Sequence, residues 1–307
     1  MDLADELRMV VLWWNTSLSP PINKKFKSRT PAEKDFVVEQ IREMYKQFRF
    51  DLFGLGEVAN GDVEYIADGI RDLNLAVANT TGKDGKLSLD TSVLYNPNAL
   101  QRGEFRHLID RYGRDVLKAG THHLFTERRT GLELDVVTSH WPGVRSAPRF
   151  ASRRGKLGEY LCGSMRKVKE RRSLPHIILM GDFNDDPFAP SLSEYLMATR
   201  DRDMAKSEPA FFYNPFWRHL GEATHFLAAD GESEVCGTHY FPRGDYSRWY
   251  TFDQIIFSPA FLQDKSKAVL DERFSRILAT PELREKVTSK SSIFDHFPVM
   301  SAFKVRA

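Results

Sequence analysis

His176-Ile177-Ile178-Leu179-Met180-Gly181-Asp182-Phe183-Asn184-Asp185-Asp186-Pro187 changes character in one step. The run from His176 to Gly181 fits a short strand buried on both faces, and the residues after it are carboxylates and an amide ahead of a proline. Asp185 and Asp186 read as loop and turn residues before Pro187. Asp182 and Asn184 stand at the end of the apolar run, which is where a layered fold places its site.

The same step recurs along the chain. Met9 to Trp14 is a continuous apolar run ending at Asn15, Asp51 to Gly56 ends at Glu57, and Leu132 to Ser139 ends at His140. Asp253 lies within the apolar stretch Trp249 to Phe257. A carboxylate or imidazole abutting such a run needs a partner, because burying it unpaired is costly. Several of them converging on a metal ion supply that partner. A set rich in oxygen donors and without cysteine selects magnesium, manganese or calcium over zinc, with magnesium first.

Helices alternate with these strands. Thr30-Pro31-Ala32-Glu33 combines an N-cap, a proline at the first helical position and a reciprocal glutamate, and the apolar spacing through Phe48 continues the helix. A second helix fits Asp62 to Leu73, and a long basic one lies between Pro148 and Arg172. Further strands fit Leu75 to Ala78, Thr91 to Tyr95, Val116 to Phe125 and Pro298 to Val305, while Asp201 to Gly237 reads as loop-rich. No repeat, low-complexity tract or Gly/Ser linker divides the 307 residues, so the expectation is one α/β domain over residues 1–307 with sheets layered against helices.

Composition narrows the function. With 44 basic and 42 acidic side chains the net charge is +2, so polyanion binding has to come from a local patch. Such a patch exists: Arg145 to Arg172 holds ten Arg and Lys against Glu159 and Glu170, and it begins five residues after His140. It reads either as a solvated helix face or as a polyanion track, with Arg145, Arg149, Arg153 and Arg154 as substrate-binding candidates. Cys162 and Cys236, far apart and without ligand-spaced companions, suggest buried inert thiols rather than a zinc site or disulfide framework. The start of the chain lacks signal-peptide character and Met9 to Trp14 is too short to span a bilayer, so a cytoplasmic protein without membrane attachment is expected.

The motifs ILMGDFNDDP (178–187), TSHW (138–141), WNTS (14–17), GEV (56–58) and FDHFPV (294–299) together resemble those of the endonuclease/exonuclease/phosphatase superfamily, with the deoxyribonuclease-I-like fold. The resemblance implies a four-layer α/β sandwich, with two mixed β-sheets packed face to face and helices outside. It implies a metal set of Glu57, as principal ligand, with Asn15 and Asp295, holding Mg2+ or Mn2+. It implies that His140 contacts the scissile phosphate, that Asp182 orients or deprotonates the attacking water, that Asn184 binds a phosphate oxygen, and that Asp253 pairs with His296. The activity implied is phosphodiester hydrolysis, with DNA or RNA as favoured substrate and partner. Its rivals are a phosphatase or phosphodiesterase of a small phosphoester, such as an inositol phosphate or a nucleotide, and a non-catalytic binding protein that keeps the fold. Two positions depart from the pattern: Gly56 stands where glutamine is common, and Phe294 where a small hydroxyl residue usually precedes the Asp-His pair.

Some residues invite bland readings. His122 and His123 match no motif and are expected to be structural. Phe211, Phe212, Tyr213, Phe216 and Trp217 are expected to pack a loop onto the core rather than stack on bases. Trp141 is expected either to wall the substrate pocket or to plug the gap between the sheets.

Overall fold

The computed structural model describes residues 7–19, 29–112, 115–143, 152–221, 235–244 and 247–306. In chain order the strands are β1 (Leu7–Asn15), β2 (Leu52–Gly56), β3 (Ala76–Asn79), β4 (Gly82–Asp84), β5 (Leu87–Leu89), β6 (Thr91–Tyr95), β7 (Leu100–Tyr112), β8 (Asp115–Glu127) and β9 (Glu133–His140). They continue with β10 (His176–Asp182), β11 (Ala198–Thr199), β12 (Phe212–Tyr213), β13 (His239–Tyr240), β14 (Trp249–Tyr250), β15 (Asp253–Phe257), β16 (Ala268–Ile277) and β17 (Val299–Val305). The α-helices are α1 (Pro31–Phe48), α2 (Asn60–Gly69), α3 (Ser152–Arg171), α4 (Arg202–Ser207) and α5 (Pro281–Thr288).

One sheet has the order β16-β17-β1-β2-β6-β3 and the other β11-β12-β15-β10-β9-β8-β7. Both are mixed: β1 runs parallel to β2 and β9 parallel to β10, with antiparallel neighbours on either side. The continuous apolar character of β1 follows from burial on both faces. Met9, Val11 and Trp13 pack with Ile178, Met180 and Ile255 of the facing sheet, while Val10, Leu12 and Trp14 pack with Val37 and Ile41 of α1 and Val63 and Ile66 of α2. On the far side, Val137, Ile177, Leu179 and Ile256 pack with Leu157, Leu161 and Met165 of α3. The layers are therefore helix, sheet, sheet, helix, as the resemblance implied. No helix among the described residues is long and apolar enough to cross a membrane.

Local chemistry agrees with the expected elements where it is strong. Thr30 and Glu33 form the reciprocal cap of α1, with Thr30 N–H to Glu33 Oε2 at 2.8 Å and Glu33 N–H to Thr30 Oγ1 at 3.3 Å. The expected strand Trp249 to Phe257 divides. Trp249–Tyr250 pairs with His239–Tyr240 in a separate hairpin, and only Asp253–Phe257 joins the large sheet. The loop-rich segment contains α4 and β12, and residues 222–234 lie outside the described residues. The aromatic cluster is core: Phe212, Tyr213 and Phe216 are all buried. Cys162 is buried and Cys236 half-buried, with no disulfide between them.

Close backbone packing explains the glycine before Asp182. A Cβ on Gly181 would lie 2.2 Å from the Ser139 carbonyl oxygen, which β9–β10 pairing holds in place, whereas a Cβ on Gly163 of α3 would meet nothing within 4 Å. Gly181→Ala is expected to destabilise by about 1–3 kcal/mol through overpacking. Gly163→Ala is expected to stabilise by about 0.5–1 kcal/mol, because alanine costs less entropy in a helix. Urea midpoints moving in the same direction for both would refute this.

His123 is buried, as expected of a structural histidine, and stacks between Phe105 and Phe125. Burial, reinforced by Arg102, pushes its imidazole down to about 3. Below about pH 6.5 the unfolded chain binds a proton that the native chain refuses until about pH 3, so stability falls as pH drops through that window. The loss of urea midpoint between pH 7 and pH 4.5 is expected to shrink in His123→Phe, which keeps the ring stack.

Candidate active site

Strand direction gathers the polar residues at one edge. The parallel strands β1, β2, β9 and β10 end there, at Asn15, Gly56, His140 and Asp182. The antiparallel strands β6, β15 and β17 begin there, because Thr91 pairs with Gly56, Asp253 with Asp182 and Val299 with Trp13. Residues from 15 to 296 therefore meet at the mouth between the two sheets.

Asp182 is the hub. Its Oδ2 accepts Asn15 Nδ2 and Asn184 Nδ2, each at 3.0 Å, and its Oδ1 accepts the Asn184 backbone N–H at 2.8 Å. Asn15 also donates to Glu57 Oε1 at 3.2 Å, while its own oxygen accepts the Ser17 N–H at 3.1 Å. Its amide hydrogens thus face two carboxylates, and turning the oxygen toward them would be repulsive. Asn15, expected as a metal ligand, here spans Glu57 and Asp182 through its amide hydrogens. Asn184 likewise gives its amide hydrogens to Asp182 and to the Trp141 carbonyl at 2.9 Å. Ser17, Glu57 and Asn184 are held at φ 54°, 51° and 51°. Left-handed backbone at non-glycine residues costs free energy that the surrounding structure has to offset, and it clusters where side chains must be aimed.

Two histidines flank the hub, each held from behind by a carboxylate. His296 Nδ1 lies 2.6 Å from Asp253 Oδ2, which leaves Nε2 3.7 Å from Asp182 Oδ2. Burial opposes its positive charge, but Asp253 and Asp182 override burial and raise its pKa well above that of an ordinary imidazole. On the other side, His140 Nδ1 lies 2.8 Å from Asp90 Oδ2, and Nε2 faces Glu57 Oε1 at 3.6 Å and Asp182 Oδ2 at 3.9 Å. Burial again opposes the charge, and Asp90 carries the imidazole up to about 9. Asp90 is itself anchored by Lys118; burial would raise its carboxyl, but His140 and Lys118 hold it well below the carboxylate range.

Glu57 and Asp295 supply the oxygen donors. Burial pushes the Glu57 carboxyl up, opposed by His140 and reinforced by the charge of Asp295. Asp295 is depressed to about 2: burial alone would raise it, but a hydrogen bond from His239, the charge of His296 and the Ser17 hydroxyl at 3.1 Å outweigh burial. A pair of mutually repelling carboxylates beside the hub fits a hard divalent ion. A tighter cluster among the described residues is His239, Asp295 and His296, whose donor atoms lie within 4.8 Å of one another.

The departures from the family pattern have physical reasons. A Cβ on Gly56 would lie 2.7 Å from Trp13 Cζ2, so the buried indole occupies the room a larger residue would need. Phe294 packs on Phe36 and Trp14, and the hydroxyl contact to Asp295 comes instead from Ser17. Trp141 neither walls the site nor plugs the gap between sheets. It is buried under α3 against Phe183, with its indole N–H on the Ala119 carbonyl. Asp185 is buried and accepts the Ser191 hydroxyl, and Asp186 accepts the Thr251 N–H, so both brace the loop.

The fold divides the basic run. Arg145 and Arg149 lie outside the described residues. Arg154 is buried, 3.1 Å from Asp185 and bonded to the Pro142 carbonyl, so it joins two loops of the site from beneath. Arg153 is half-buried and donates to the Val116 carbonyl. At the other end of α3, Arg172 bonds Glu133 and Asp135 at the start of β9, the edge opposite His140. The exposed cations Arg166, Lys167 and Arg171 therefore lead away from the site. Asp90, Lys118, Ser17 and His239 were missed in the sequence. Asp90 carried a usable signal, a carboxylate directly before the apolar strand Thr91–Tyr95.

The model of the endonuclease/exonuclease/phosphatase family matches residues 18–302. No curated protein sequence matches. Among solved structures, the human Nocturnin catalytic domain with bound sulfate anion is similar over 96% of this chain and 94% of its own, at 16% identity and a TM-score of 0.59. ANGEL2, a 2',3'-cyclic phosphatase, is similar over 97% and 95%, at 14% identity and 0.62. TDP2 of D. rerio complexed with single strand DNA product is similar over 96% and 98%, at 17% identity and 0.57.

If Asp90 works by holding His140, Asp90→Asn and His140→Ala should lower turnover by overlapping amounts, and the double variant should be little slower than His140→Ala alone. A double variant whose loss equals the product of the single losses would show that the two act independently.

Proposed function

The chain belongs to the endonuclease/exonuclease/phosphatase family, and from that premise we propose that it is a divalent-metal-dependent phosphodiester hydrolase centred on Asp182. One observation carries the reading. Two imidazoles, one buried and one half-buried and each backed by a carboxylate, present Nε2 from opposite sides to Asp182 Oδ2 at 3.7 and 3.9 Å. Phosphodiester hydrolysis needs an aligned water and charge neutralisation at the phosphate oxygens, and this constellation offers both. Asp182, fixed by Asn15 and Asn184, orients the attacking water and takes its proton. His140 and His296, kept cationic by Asp90 and Asp253, bear on the phosphate oxygens as their charge grows. Magnesium or manganese, held by Glu57 and Asp295, would supply Lewis-acid neutralisation of the phosphate. A non-catalytic role fits poorly, since such a protein has no need to keep two carboxylate-backed histidines aimed at one carboxylate.

Nucleic acid is the substrate class we favour, on the likeness to the TDP2 complexed with single strand DNA product. A small phosphoester is the second reading. It is favoured by the inward placement of Arg154 and by the cations of α3 leading away from the site.

Asp182→Asn and His296→Ala should each reduce turnover about a hundredfold or more with far smaller changes in KM, as expected of groups that act in the transition state. Glu57→Gln should weaken magnesium binding measured by calorimetry; unchanged affinity would remove Glu57 from the ligand set. Rates on single-stranded DNA, RNA and inositol phosphates across a salt series separate the two substrates. A steep salt dependence with preference for the polymer supports nucleic acid, and a flat one with preference for the small ester supports the second reading.

A further inference from the structure

Beside the oxygen donors of Glu57 lies a donor set of different chemistry. The backbone of β13 pairs with the segment leading into β17: His239 and His296 form an isolated antiparallel bridge, Phe297 N–H donates to the Thr238 carbonyl at 2.7 Å, and Tyr240 N–H donates to the Asp295 carbonyl at 2.9 Å. Residues directly opposite in such a pair project to the same face. The two rings accordingly stand with centroids 4.4 Å apart, and Asp295 faces both, 3.6 Å from His239 Nε2 and 3.8 Å from His296 Nε2. All three donor atoms lie within 4.8 Å of one another. An ion about 2.0–2.2 Å from each donor bridges separations up to about 4.4 Å, which the contacts of Asp295 Oδ2 to His239 and of Asp295 Oδ1 to His296 both satisfy.

The arrangement is preorganised from outside the set. His296 gives its Nδ1 side to Asp253, which fixes the ring with Nε2 outward, the relay of carboxylate, histidine and metal found where an imidazole is a ligand. His239 lies stacked on Phe252, with centroids 5.1 Å apart and an interplanar angle of 24°. Its Nδ1 is buried without a hydrogen-bond partner, so the polar contact that orients the ring is the one to Asp295. A ring supported by stacking and aimed at a single carboxylate is not a typical structural histidine, which satisfies both nitrogens.

We propose that His239, Asp295 and His296 form a second cation site, adjacent to the Glu57 site and selective for a nitrogen-seeking divalent transition ion such as zinc or cobalt(II) over magnesium. Two imidazoles favour these ions over magnesium, which demands oxygen ligands. Coordination through Nε2 displaces the proton from His296, so the bound ion and the cationic imidazole are alternative states of that ring, and a tetrahedral ion would keep a fourth position for water or a phosphate oxygen. The proposal rests on the function proposed above in sharing Asp295 and His296 with it, and His239 is what distinguishes the second site.

The test is metal binding by the full-length, metal-stripped protein. Calorimetric titration with zinc, and cobalt(II) titration followed by visible absorption, should reveal a site in the wild type that magnesium does not displace. His239→Phe keeps the stack on Phe252, and His239→Gln serves as a second variant. Both should weaken zinc binding at least about a hundredfold, the upper end of what losing even a supporting partner costs, with magnesium affinity within about threefold of wild type. Zinc affinity unchanged in both variants overturns the proposal. Glu57→Gln separates this inference from the function proposed above: zinc binding retained while magnesium binding falls supports two sites, and zinc binding lost in parallel with magnesium overturns the second one. Magnesium affinity unchanged in Glu57→Gln would count against the Glu57 assignment alone.

Discussion

From the middle of the first sheet, Trp13 reaches across the core and gives its indole N–H to Asp253 Oδ1 at 2.9 Å, while the other oxygen of that carboxylate holds His296. A single buried carboxylate thus joins the packing of the two sheets to the orientation of a site histidine. The indole fits because Gly54 and Gly56 of the neighbouring strand have no side chains; a Cβ at either would approach the ring to under 3 Å. Removing the indole N–H would leave a buried carboxylate oxygen unsatisfied, at a cost of about 1–3 kcal/mol. Core and site therefore rest on the same few atoms, and the glycine at the position before Glu57 belongs to that arrangement.

How much of this the sequence revealed depended on burial. The central strands β1, β2, β9 and β10 are buried on both faces, and a short continuous apolar run is a strong signal. The edge strand β7 gave none: residues 101 and 103–106 are exposed, so neither alternation nor apolarity marks it. β16 was missed for the same reason, as the exposed and half-buried positions of its second half break the pattern. Motif order placed the site residues at strand ends, but their hydrogen-bond roles were not legible. An amide such as Asn15 can offer an oxygen or two N–H groups, and only the carboxylates around it decide which faces the centre.

Charge was the least readable property, since a count of cations does not say which way they point. The run from Arg145 to Arg172 reads as one patch in sequence, yet α3 turns Arg154 into the protein and carries its exposed cations along the outside of the second sheet. Arg154 bonded to Asp185 and Pro142 supports the loops that carry Asn184 and His140. A guanidinium in that position contributes rigidity beneath the site and offers nothing to solvent.

The pairing of β17 with β1 bears on when the protein becomes competent. These strands are far apart in sequence, and the Trp14 indole reaches the His296 carbonyl across 282 residues. Contacts so distant in sequence pay their loop-closure entropy before they return any stabilisation, which makes them slow to form. On a ribosome, β1 must wait beside the parallel strand β2, with an unpaired edge, until β17 emerges to cover it. Chaperone demand should therefore persist until β17 has emerged, and a nascent chain will hold every element of the second sheet before it holds His296.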